Sequence, residues 1–90
     1  MAKVVFTANL RRYTGGVTET KADGNRVCDL LHALDESVPG IRHYIVDDQG
    51  ALRQHVAVFV NGEAAVDRDR LTDPVGAADE IYVLQALTGG

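Results

Sequence analysis

His55-Val56-Ala57-Val58-Phe59-Val60-Asn61-Gly62-Glu63-Ala64-Ala65-Val66 is the stretch that decides the fold. Its first half is dense in β-branched and aromatic residues, the composition of a strand. Asn61-Gly62 is the strongest short hairpin signal in the chain, because both positions tolerate the positive φ of a tight turn. Residues 55–60 are therefore read as a strand and 63–66 as its short return.

Working outward, residues 80–87 read as a final strand, and 67–78, polar and holding Pro74, as a loop. Upstream, Val27, Leu30, Leu31 and Leu34 recur at i, i+3, i+4 and i+7, the core stripe of a helix over residues 26–37. Asn25 or Asp23 is expected to cap it. Residues 41–46 are consistent with a short helical turn and 47–50 with a loop. At the N-terminus, residues 3–8 read as a strand continuing toward Tyr13. Thr14-Gly15-Gly16 reads as a turn, and 17–22 as a second strand completing a hairpin.

The order is strand, strand, helix, strand, short strand, strand. A single α+β layer pair suits it: a mixed sheet of about five strands with one main helix on one face, a β-grasp. Ninety residues hold one domain, placed at 1–87 with a flexible tail at 88–90.

Strand parity assigns faces. With Val4, Phe6, Val56, Val58, Val60, Ile81 and Val83 toward the helix, Val5, Phe59, Tyr82 and Leu84 point the other way. One helix covers one face, so this apolar second face is expected to be a partner surface. Phe59, Tyr82 and Leu84 are its candidate docking residues.

The net charge is −4, with 9 Lys plus Arg against 13 Asp plus Glu and no basic run. That argues against nucleic acid or an anionic membrane as partner. The single cysteine, Cys28, excludes an intrachain disulfide and a Cys-rich metal site. It sits beside the helix stripe and reads as a small core hydrophobe. No histidine is paired with a nucleophile by spacing. Asp47-Asp48 and Asp67, Asp69 and Asp73 lack the ligand pattern of a calcium loop and read as solvated loop carboxylates. Arg11 and Arg12 stand near the turn of an acidic chain, suited either to an acidic patch or to solubility. No stretch has the length of a membrane span or the apolar core of a signal peptide, so the expected location is cytoplasmic.

The sequence ends Ala86-Leu87-Thr88-Gly89-Gly90. Glycine lacks Cβ, so a diglycine can thread a narrow active site. Together with Lys3-Val4-Val5-Phe6, Val38-Pro39-Gly40-Ile41, Val58-Phe59-Val60-Asn61-Gly62-Glu63 and Asp79-Glu80-Ile81, this end resembles the small sulfur-carrier family. That family includes the small subunit of molybdopterin synthase and the thiamine sulfur carrier. Residues 10–16 and 47–54 lean toward its cysteine-synthesis branch. Ala78-Asp79 stands where the family usually has Gly-Asp, and Gln85 where it commonly has Pro.

The resemblance implies a ubiquitin-like carrier rather than an enzyme. An E1-like activating enzyme would use ATP to adenylate the Gly90 carboxylate, no cofactor being permanently bound. A sulfur donor would convert it to a thiocarboxylate. Leu87, Thr88, Gly89 and Gly90 would then enter the site of a sulfur-accepting synthase, in cysteine synthesis first, or in a secondary-metabolite, thiamine or molybdopterin pathway. Two alternatives remain: a ubiquitin-like modifier forming isopeptide bonds through Gly90, and a non-covalent interaction module.

Overall fold

The computed structural model describes residues 1–11 and 13–85, with residues 8 and 9 described by their backbone only. Arg12 and the tail residues Leu87, Thr88, Gly89 and Gly90 lie outside the described residues. Five strands form one sheet: β1 (Ala2–Phe6), β2 (Glu19–Ala22), β3 (Val56–Val60), β4 (Glu63–Ala64) and β5 (Glu80–Gln85). Their spatial order is β2-β1-β5-β3-β4. The first and last strands pair in parallel at the centre, Val4 opposite Ile81 and Phe6 opposite Val83. The other pairings are antiparallel. Among the described residues there are also three helices: α1 (Ala8–Arg11), α2 (Val27–Ser37) and α3 (Arg42–Ile45). This is the β-grasp expected from the element order.

The parity reading holds. Val4, Phe6, Val56, Val58, Ile81 and Val83 are buried in one cluster with Val27, Leu30, Leu31 and Leu34 of α2, and Val60 packs against it half-buried. Ile41, Ile45, Val46 and Leu52 join the same cluster, so residues 41–52 close the core beside α2. The Asn61-Gly62 turn forms as read, with φ of 51° and 87°. Those values suit the mirror-image turn that matches strand twist.

Two expectations need correction. The first strand does not run on toward Tyr13: it stops at Phe6, and α1 follows. Thr7 N–H still donates to Val83 C=O at 3.2 Å, and Leu10 N–H then donates to Thr7 C=O at 3.0 Å. The turn carries Leu10 into the core, where it is fully buried. Consequently β1 and β2 pair through a longer connection than a tight hairpin, and β2 begins at Glu19.

The second correction concerns the start of α2. Arg26 holds the N-cap position without any side-chain cap, so neither Asn25 nor Asp23 fills that role. Helix N-termini leave backbone N–H groups without intrahelical partners. Here the loop after β4 supplies acceptors: Val27 N–H donates to Asp73 C=O at 3.0 Å and Cys28 N–H to Leu71 C=O at 2.9 Å. Val75 N–H donates to Asn25 C=O at 2.9 Å. Leu71 is buried and adopts a φ of 56°, the left-handed region that non-glycine residues rarely occupy. Residues 71–75 thus strap the helix start to the loop.

Candidate functional site

Parallel pairing with β1 and antiparallel pairing with β3 bring particular groups to the end of β5. Gln85 lies opposite Val56 at the start of β3. Arg11 reaches the same end from α1, its Nε donating to Phe6 C=O at 3.1 Å. Whatever the tail does, it starts from here.

The sheet face away from α2 carries the three docking candidates, and the structure brings them together. Phe59 and Tyr82 are direct cross-strand partners, and Val5 faces Tyr82 from the other side. Leu84 lies two residues beyond Tyr82 on the same pleat face, opposite Ala57. Tyr82 is 37% exposed, whereas Val5, Ala57, Phe59 and Leu84 are half-buried. An apolar row therefore crosses the three central strands. Lys3 and Glu19 flank it with an ion pair of 3.6 Å.

Beside Gln85 lie features the sequence reading missed. An open cleft of about 960 Å³ has a floor that includes Leu52, Val56, Ala57 and Leu84, and a rim that includes Arg53, His55 and Arg68. Arg68 Nη2 donates to Val56 C=O at 2.7 Å and Arg53 C=O at 3.0 Å, while Arg53 Nε donates to His43 C=O at 2.7 Å. On the other side of Gln85, a second recess is walled by Tyr13 and Tyr44. Their rings stack with centroids 4.2 Å apart at 21°. Nothing local in the sequence signals this pair, since the partners come from distant segments that meet only when the sheet closes.

The remaining polar candidates are structural. Asp67 accepts from Thr72 Oγ1 at 2.6 Å and from Arg70 N–H at 3.0 Å, and these bonds hold its carboxyl below the ordinary value. Asp73 accepts from Val66 and Asp67 N–H, both at 2.8 Å. Asp79 is held low by Asn61 Nδ2 at 2.9 Å and by Gly76 N–H at 2.7 Å. Hydrogen bonds to the charged form favour it. Asn61 closes the clamp by accepting from Glu80 N–H at 2.9 Å. Cys28 is half-buried and packs against the core. Among the described residues, no group of three His, Cys, Asp or Glu side chains is placed to hold a metal ion. No helix among them is long and apolar enough to cross a membrane.

The sequence profile of the ThiS family matches residues 4–90, nearly the whole chain. The chain belongs to the ThiS family. This ThiS-family chain is 28% identical over 83 residues to Sulfur carrier protein CysO of Mycobacterium tuberculosis, covering 90% of this chain and 89% of that one. It is 33% identical over 85 residues to Small archaeal modifier protein 1 of Haloferax volcanii, covering 92% and 93%. In structure it matches a chain of the Amycolatopsis orientalis BexX/CysO complex with a TM-score of 0.85 at 26% identity, over 100% of each chain. The resemblance to the sulfur-carrier family is borne out, with CysO proteins among the relatives.

Proposed function

We propose that this ThiS-family chain is a sulfur carrier whose working atom is the terminal carboxylate of Gly90. The observation that supports this most is the family match, which spans residues 4–90 and so includes both the β-grasp and the diglycine. Similarity to CysO proteins in sequence and fold adds to it.

A carboxylate resists attack by nucleophiles, so the chemistry begins by giving it a leaving group. An E1-like activating enzyme joins the Gly90 carboxylate to the α-phosphate of ATP and releases pyrophosphate. A sulfide-equivalent donor then attacks the carbonyl carbon. The C–S bond forms as the C–O bond to AMP breaks, leaving a thiocarboxylate. A synthase accepts that sulfur, with cysteine synthesis the preferred pathway. Both enzymes dock on the apolar row around Phe59, Tyr82 and Leu84, while Leu87, Thr88, Gly89 and Gly90 enter the active site. The carrier itself catalyses nothing and works in the cytoplasm.

The test is an intact-mass spectrum after incubation with ATP, a sulfide source and the activating enzyme of the same organism. The expected gain equals the exchange of one oxygen for one sulfur, mapped to the peptide holding Gly90. The Gly90→Ala chain is expected to fold normally and to lose most or all of that gain. No gain on the parent chain with a competent enzyme would overturn the reading.

A second reading is favoured by the similarity to Small archaeal modifier protein 1. In it, a lysine amine attacks the same activated glycine and forms an isopeptide bond. High-mass conjugates that appear in lysate on addition of ATP, and vanish with Gly90→Ala, would support it.

A further inference from the structure

The acidic balance of the chain is not spread evenly. At the turn end of the sheet, Glu63, Asp73 and Asp79 line one recess, with Glu80 next to Asp79. At the opposite end, where β5 finishes, the described residues include the guanidiniums of Arg11, Arg53 and Arg68 and the imidazoles of His43 and His55. The carboxylates on that side include Asp47, which lines the cleft, Asp48, which follows it in the chain, and Asp67 and Asp69, which flank the lining residue Arg68. Asp67 is turned to Thr72 Oγ1 and Arg70 N–H. Asp47 spends its carboxylate on the N–H groups of Gln49 and Ala51, at 2.8 and 3.1 Å. At physiological salt the Debye length is about 8 Å, so a docking partner feels the local charge and not the molecular total.

We infer that the cleft of Leu52, Ala57 and Leu84, with its rim of Arg53, His55 and Arg68, seats the carboxylate-rich mouth of the activating enzyme's active site. The inference rests on the carrier reading and names the partner's surface. Geometry selects the occupant. Gly90 lies five positions beyond Gln85, and five residue steps span at most about 18 Å when fully extended. A protein that encloses Gly90 in its active site must bring the rim of that site against the end of β5. Adenylation comes first in both the carrier and the modifier chemistry, so the activating enzyme is the partner common to both. A cationic rim over an apolar floor fits a partner with carboxylates around an apolar lip, and charge complementarity of this kind sets register and association rate.

The test titrates the full chain into the purified activating enzyme of the same organism by calorimetry, without ATP. It is repeated at about 0.1 M and about 1 M salt, where the Debye length falls from about 10 to about 3 Å. Arg53→Glu and His55→Glu are each expected to weaken Kd about tenfold and to flatten the salt dependence, with most of the loss at low salt. Lys21→Glu, at the far end of β2, is expected to change Kd less than about twofold. Thermal melts check folding. If Arg53→Glu fails to fold, His55→Glu carries the test on an exposed side chain. Absence of binding, equal Kd for all variants, or salt-independent binding would overturn the inference. Self-association of the chain that Arg53→Glu weakens would put a second copy's acidic end in the cleft, and would also overturn it. Loading is read separately by mass. Charge-dependent binding without a mass gain refutes only the carrier reading; a mass gain with charge-independent binding refutes only this surface.

Discussion

Gly24 is a position where a missing side chain is the structural requirement. A Cβ there would stand 2.6 Å from the backbone nitrogen of Leu30, and no flexible side chain is available to yield. Gly24→Ala is expected to destabilise the chain by about 2–3 kcal/mol, in the range of overpacking, measured by urea denaturation. Asp79 offers a pH signature. Its folded carboxyl titrates below the ordinary 3.8, chiefly through the Asn61 amide and then through Gly76 N–H. A lowered carboxylate stabilises the fold above the unfolded value, and that contribution is lost as pH falls through the folded value. Asn61→Ala is therefore expected to lower Tm at pH 7, and the gap to the parent chain should narrow as pH falls below about 4, leaving the pH-independent part due to the positive φ and the lost Glu80 bond. A gap that stays constant to pH 2 would refute the clamp. Asn61-Gly62 was plain in the sequence because the turn signal is local. The aspartate that holds it was not, since Asp79 is distant in the chain.

Elements differ in the same way. The α2 stripe was readable because Val27, Leu30, Leu31 and Leu34 carry the helical period in one short run, and all four are buried. Its N-terminal support was not readable. Leu71 and Asp73 offer backbone carbonyls, which carry no residue-type signature, and they reach the helix only through an unusual φ at Leu71. The start of α1 was obscured by strand-forming residues leading into it, although Phe6 and Leu10 stand four apart and both are buried. Leu34→Ala is expected to cost about 3 kcal/mol, within the range for core truncation, with the sheet intact by circular dichroism. A cost below about 1 kcal/mol would mean that the site collapses freely around the gap.

Across the whole molecule, one sheet face is packed beneath α2 and the other carries the half-buried apolar row. Parity alone separates them, so the grouping of Phe59, Tyr82 and Leu84 on one face is legible in the sequence. The cleft beside Gln85 and the Tyr13–Tyr44 stack were not found, because each is assembled from segments far apart in the chain. Tyr82→Ser is expected to weaken binding to the activating enzyme by about tenfold or more, as loss of a central aromatic contact does, while Tm changes little. An unchanged Kd would move the docking surface off this face.

The parallel pairing of β1 with β5 has a consequence for the birth of the protein. The strand in the middle of the sheet is the last of the five to leave the ribosome. Until then, β1 with β2 and β3 with β4 have no common neighbour, and the layer beneath α2 is split in two. A nascent chain stalled or truncated before residue 80 cannot assemble the sheet. Only a polypeptide made as far as its central strand can set Phe59 and Tyr82 side by side, so the apolar row exists on full-length chains alone.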